Sequence, residues 1–266
     1  MTCALRPDEA RRYEDDGFFV REAVFGEPEI EALREAAECV VRTSAQAASA
    51  GHSYEIDGNR YVDTSDATVQ FEHGADRATI RVIEPFHHFD ARFDALIDDP
   101  RIVEPMCGII GSERVSLWTD KLNLKRPREG SRFRWHQDSP YWTHACAHVD
   151  RLPNVMLTLD DASEANGCLR VVRGSHRRGC LPGLRDETRL GPLFTDPDHF
   201  DLSKQVPIEA RAGSLVFFSP HTVHGSFPND SAAPRRALVL TYQPADEPMF
   251  KMRGTRNAGA SASARV

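Results

Sequence analysis

At 266 residues, 40% hydrophobic and 27% charged, the chain can form one large globular unit with an enclosed cavity, or two small ones. A formal charge of −7 gives no support to nucleic-acid binding, and no apolar run approaches the length of a membrane span. Met1 to Arg12 has no apolar signal-peptide core, and six scattered cysteines without a C-x-x-C pair argue against a zinc ribbon, an iron–sulfur cluster or a disulfide scaffold, so a reducing cytoplasmic compartment is expected.

A short polar helix is predicted over Pro7 to Asp16, followed by a brief strand, Gly17 to Val20. Pro28 suits a first helical turn. Ile30, Leu33, Ala37, Val40 and Val41 recur at helical spacing, which predicts an amphipathic helix from Glu29 to about Arg42. The small polar stretch Thr43 to Gly51 is expected to end it. Gly51 to Arg77 reads as a long loop with short strands, a candidate lid or pocket wall. Thr79 to Glu84 reads as a strand. Phe89 to Gly111 reads as helix, divided at Asp99-Pro100.

After Gly111 the character changes. Short β runs are predicted at Val115 to Leu124, Arg132 to Asp138, Asn154 to Leu159, Cys168 to Val172, Gln205 to Ala210, Ser214 to Ser219 and Ala237 to Tyr242. Turn signals such as Asn166-Gly167 and Ala212-Gly213 separate them. Helices followed by many short strands imply a mainly β, α+β chain. The expected architecture is a double-stranded β-helix of jelly-roll or cupin type with an N-terminal helical layer. That layer is expected over about 1–111, the barrel over about 112–245, and a mobile tail over 253–266, with 1–252 as a single domain.

Within the run Arg132 to Asp138, strand alternation would put His136 and Asp138 on one face. An imidazole and a carboxylate so placed are two-thirds of a facial 2-His-1-carboxylate metal site. Two histidines could complete it, His221 and His224, and alternation does not choose between them. Arg235 and Arg236 open a later strand, and one of them could bind a carboxylate bidentately.

The words Trp135-His136-Gln137-Asp138-Ser139-Pro140-Tyr141-Trp142, Asn166-Gly167-Cys168-Leu169 with Gly174-Ser175-His176, and His224-Gly225-Ser226 with Arg235 resemble the phytanoyl-CoA dioxygenase family from about Val115 to Tyr242. The resemblance implies an oxygenase that uses Fe(II), 2-oxoglutarate and O2. It implies His136, Asp138 and His224 as iron ligands, selecting His224 over His221 by the following Gly-Ser. It implies Arg235 and Ser226 at the far carboxylate of 2-oxoglutarate, with Asn123 as a further contact. Arg173 departs from the proline that the family places before Gly-Ser-His. With Asp138 present, the resemblance implies hydroxylation of a C–H bond with release of succinate and CO2, or another oxidation such as desaturation, epoxidation or cyclisation.

The implied partner is a small organic molecule. Arg134, two residues before His136, is a candidate contact for an anionic substrate group. Trp142 is a candidate pocket wall. Two rivals remain: a metal-dependent cupin isomerase or hydrolase that needs no 2-oxoglutarate, and a binding protein that retains only the barrel.

Overall fold

The computed structural model describes residues 3–73, 78–252 and 254–259. Helix α1 (Pro7–Asp16) begins on a proline, and Glu9 accepts from the Arg6 amide at 2.9 Å, covering an end donor. It stops at Gly17, which is left-handed at φ 87°; a Cβ there would also meet the His176 ring at 2.5 Å. After β1 (Phe18–Arg21), helix α2 (Glu27–Ala48) runs past the expected end near Arg42. Its buried stripe continues through Ser44 to Ala48, because Ala45, Ala47 and Ala48 are strong helix formers. Asp90 and Asp99 each accept an amide at the starts of α3 (Ala91–Ile97) and α4 (Pro100–Ile110), so the chain divides at Asp99-Pro100 as predicted.

The short strands expected within the long loop and the strand expected at Thr79 to Glu84 join in an antiparallel meander, so little of the segment is loop. The meander comprises β2 (His52–Ile56), β3 (Asn59–Asp63), β4 (Thr68–Phe71) and β5 (Ile80–Glu84). Asp57 and Gly58 turn β2 into β3 with φ of 50° and 75°, a two-residue hairpin turn of the Asp-Gly kind. These strands extend one end of the larger sheet, so the region before residue 111 is not purely a helical layer. Residues 74–77 of the expected loop lie outside the described residues.

The remaining strands are β6 (Val115–Lys125), β7 (Phe133–His136), β8 (Asn154–Thr158), β9 (Leu169–Val172), β10 (Gln205–Ile208), β11 (Leu215–Phe218), β12 (His224–Ser226), β13 (Arg235–Pro244) and β14 (Asn257–Ala258). The larger sheet has the order β1-β11-β8-β13-β6-β5-β4-β3-β2, and the smaller one β10-β9-β12-β7. Two facing antiparallel sheets of this kind make the jelly roll that the sequence predicts.

Alternation along each strand sorts the two faces of the larger sheet. Leu117, Leu122, Leu124, Leu215, Phe217, Leu238 and Leu240 pack against the helices, with Ile30, Phe93, Ile97, Ile102 and Met106. Phe19 stacks on Phe217 at 4.7 Å, and burial of each ring contributes about 1.5–3 kcal/mol. The opposite face turns inward. There Met156, Val216, Phe218 and Ala237 meet Leu169, Val171 and Ile208 of the smaller sheet.

The expected tail is partly held. β14 pairs with Ser116 and Val115 of β6, and Arg256 binds Asp98 at 2.7 Å and Asp94 at 3.2 Å. Arg253 and residues 260–266 of that tail lie outside the described residues. No helix among the described residues is long and apolar enough to cross a membrane.

Candidate active site

His136 closes β7, His224 opens β12, and the two are register partners with ring centroids 4.1 Å apart. Asp138 joins them by a route that alternation does not describe. The strand ends at His136, and Asp138 takes a helical backbone at φ −80°, ψ −28° before the single turn Ser139–Trp142. Its amide donates to the Pro220 carbonyl at 3.0 Å, which ties that turn to the loop leading into His224.

The three ligand atoms lie within 4.8 Å of one another. His136 Nε2 is 3.9 Å from Asp138 Oδ1, and His224 Nε2 is 3.8 Å from Oδ2, too far for hydrogen bonds. His136 Nδ1 meets the Arg134 carbonyl at 2.7 Å, and His224 Nδ1 meets the Thr222 carbonyl at 2.9 Å. A carbonyl only accepts, so each Nδ1 carries a hydrogen and Nε2 is the ring atom turned toward the carboxylate. Burial, then the neighbouring His224, presses His136 down to about 3, so its ring is neutral. Burial pushes Asp138 up, but His224, Lys121, His136 and the Asn154 amide at 2.9 Å outweigh it and hold the carboxyl below its usual range. Two imidazoles and one carboxylate fit a ferrous ion and leave other ligand positions free.

His221 is engaged elsewhere. Its Nδ1 meets Ser139 Oγ at 2.9 Å and its Nε2 meets Asp150 Oδ1 at 2.7 Å. The two arginines separate as cleanly. Arg236 binds Asp160 Oδ1 and Oδ2 at 2.7 and 2.9 Å and Glu38 at 3.0 Å. Arg235 faces inward and is 3% exposed. Its Nε and the Ser226 hydroxyl are buried without a hydrogen-bond partner among the described residues. Burial without a counter-ion pulls Arg235 down to about 10, still cationic at neutral pH. A buried cation and a buried hydroxyl that both lack partners among the described residues fit an incoming carboxylate.

Asn123 is on the same inward face, opposite Ala237 and between Lys121 and Lys125. Arg134 is half-exposed, 3.5 Å from Asp186 and 4.1 Å above the Phe194 ring. Trp142 is buried in an aromatic cluster with Trp118, with ring centroids 6.3 Å apart.

Three polar residues of this pocket are absent from the sequence-based candidates: Asn154, Lys121 and Lys125. Lys121 stands near Asp138, with its ammonium 5.8 Å from the Tyr141 and Trp142 rings. The Tyr141 ring in turn lies 6.1 Å from that of His136. Burial opposes the Lys121 charge, but Glu84 and Asp138 raise its pKa overall. The available signal was the row Thr119, Lys121, Asn123, Lys125, polar at every second position of one strand.

Comparison with known proteins points to one family. The family model described as "Phytanoyl-CoA dioxygenase (PhyH)" matches residues 13–237. An ectoine dioxygenase of Bordetella parapertussis is 30% identical over 257 residues, covering 90% of this chain and 75% of that protein. A methylphosphonate hydroxylase of Gimesia maris is 27% identical over 243 residues, covering 91% and 82%. The crystal structure of EctD from S. alaskensis with 2-oxoglutarate and 5-hydroxyectoine superposes with a TM-score of 0.68 at 22% identity, over 93% of this chain and 80% of that one.

Proposed function

Because the chain belongs to the phytanoyl-CoA dioxygenase family, we propose that His136, Asp138 and His224 hold its iron and that Arg235, Ser226 and Asn123 receive 2-oxoglutarate. The enzyme is a non-haem Fe(II)- and 2-oxoglutarate-dependent dioxygenase of the hydroxylase type. One observation carries the co-substrate assignment: Arg235 Nε and, two residues beyond His224, Ser226 Oγ are buried with no hydrogen-bond partner among the described residues. A cupin isomerase or hydrolase has no need of such an anchor, and a bare binding barrel has no need of either feature.

Iron, 2-oxoglutarate and O2 together supply an oxidant that breaks a substrate C–H bond, with succinate and CO2 as by-products. The protein's part is placement. The Arg134 and Thr222 carbonyls aim the two imidazoles, and Asn154 fixes Asp138. Arg235 and Ser226 set how deep the co-substrate sits. Lys121 and Tyr141 line the side from which substrate approaches, with Trp142 behind them and Arg134 half-exposed.

The substrate is a small organic molecule, and its proposed class is anionic. Lys121 beside the metal cluster and the half-exposed Arg134 support this. The cytosol is the proposed compartment, since six free cysteines and a ferrous site both suit a reducing environment. The test is spectroscopic. Anaerobic protein with Fe(II) and 2-oxoglutarate should develop a visible metal-to-ligand charge-transfer band; with no such band the reading fails.

A further inference from the structure

Lys125, the last residue of β6, is the register partner of Arg235 and is fully buried. Its amine donates to the carbonyl of Phe227, the residue after Ser226. It therefore shares the corner that holds the two unsatisfied co-substrate groups. Arg81 reaches the same corner, lying 3.8 Å above the Phe133 ring, while Lys125 Nζ is 5.6 Å from that ring.

The groups acting on Lys125 are Arg235, Arg81, Glu72 and Cys168. Glu72 accepts through Oε2 from the Ser131 amide at 3.0 Å and from its hydroxyl, 3.6 Å from Arg81, while its Oε1 is buried with no hydrogen-bond partner among the described residues. Burial pushes the Cys168 thiol up, so it carries no charge at neutral pH. The corner thus has more buried positive charge than its own acids offset. Burial first, then Arg235 and Arg81, brings Lys125 down to about 6, so at neutral pH it is mainly a neutral amine.

We propose that Lys125 is a second clamp on the far carboxylate of 2-oxoglutarate, and that it takes up one proton from solvent as the co-substrate binds. The inference rests on the 2-oxoglutarate reading above. The incoming carboxylate supplies the missing negative charge, which favours the ammonium over the amine. The only covalent change is a solvent proton joining the Lys125 amine. Co-substrate affinity then falls as pH rises above the range where free Lys125 is protonated, by up to about tenfold per pH unit for one proton.

The test is anaerobic calorimetric titration of 2-oxoglutarate into the Fe(II) protein at pH 7.5, in two buffers of different ionisation enthalpy. Wild-type protein should take up a large fraction of a proton, and little at pH 5.5. Lys125→Met should lose the uptake and bind at least tenfold more weakly. Lys125→Arg, permanently charged, should bind without uptake. Wild-type binding with no proton uptake, or uptake that survives in Lys125→Met, overturns this inference and leaves the co-substrate reading standing. Wild-type protein that does not bind 2-oxoglutarate overturns the reading itself. The wild-type measurement needs no variant, so a poorly folding mutant does not leave the question open.

Discussion

His136 and His224 each turn Nδ1 back onto the carbonyl two residues earlier in the chain, Arg134 for one and Thr222 for the other. The repeated contact orients both rings alike and leaves both Nε2 atoms turned toward Asp138. His221, with both nitrogens engaged by Ser139 and Asp150, is outside this pattern. His224→Ala is therefore expected to weaken Fe(II) binding by more than about 100-fold, since losing a ligand costs more than losing its support. His221→Ala should keep the metal. Anaerobic metal titration of the two variants decides it, and the reverse order of affinities would remove His224 from the site.

Asn154 donates to Asp138 Oδ2 at 2.9 Å and accepts from Thr241 at 2.6 Å, so it holds the carboxylate at one angle. Asn154→Ala should weaken metal binding by about 10- to 100-fold while the fold survives. Metal affinity and circular dichroism on one sample separate the two effects. Unchanged affinity would mean that Asp138 is oriented by its backbone alone.

Arg235 and Arg236 are neighbours with opposite environments. Arg235→Ala should cost about 2–4 kcal/mol of 2-oxoglutarate binding, on the order of 30- to 1,000-fold in Kd, with iron affinity spared. Arg236→Ala removes contacts with Asp160 and Glu38 and should affect stability and not co-substrate binding. Equal loss of 2-oxoglutarate affinity in the two variants would move the anchor elsewhere.

Lys121 faces the metal cluster from β6, and a charge there selects among substrates. Lys121→Met is expected to raise KM for an anionic substrate about tenfold or more, the scale of one hydrogen bond to a charged group. The KM for 2-oxoglutarate should stay within about twofold. A substrate panel scored by succinate release supplies both numbers, and an unchanged substrate KM would place the anion contact on Arg134 or elsewhere.

Lys125 also sets a pH dependence of stability. Its folded pKa, about 6, is far below the lysine model value of 10.5. Between those values the unfolded chain binds more protons, so this group makes stability rise with pH across that window. Below about pH 6 both states are protonated and its slope vanishes. Urea midpoints of ligand-free protein from pH 6.5 to 9.5 should show an upward slope that Lys125→Met reduces. Parallel profiles for the two proteins would show that the amine is not charged at such a cost.

The metal site was legible for reasons that the structure only half supports. Strand alternation pointed to His136 and Asp138, yet the strand stops at His136 and a helical turn delivers the carboxylate. The choices of His224 over His221 and Arg235 over Arg236 came from a resemblance of words, while the physical reasons are tertiary: each rejected residue has distant partners. Of the β2–β5 meander, the sequence shows β5 and short strands before it but not their pairing, although Asp57-Gly58 is a strong hairpin signal, because β2 and β3 lie toward the end of the sheet and show little apolar alternation. Asn154 looked like an ordinary strand start, since its partner Asp138 reaches it only through the fold.

The pairing of β14 with Val115 and Ser116 links the far end of the described chain to the strand that carries Lys121, Asn123 and Lys125. A strand that slips by one residue turns its whole inner row outward. β14 covers, at Val115 and Ser116, the edge of β6 that β5 leaves open, while β13 pairs along the other edge and holds the register. Shortening the chain to residue 252 would uncover that edge and remove the Arg256 contacts with Asp94 and Asp98, at the end of β6 away from Lys121, Asn123 and Lys125. An affinity tag is accordingly safer away from this end.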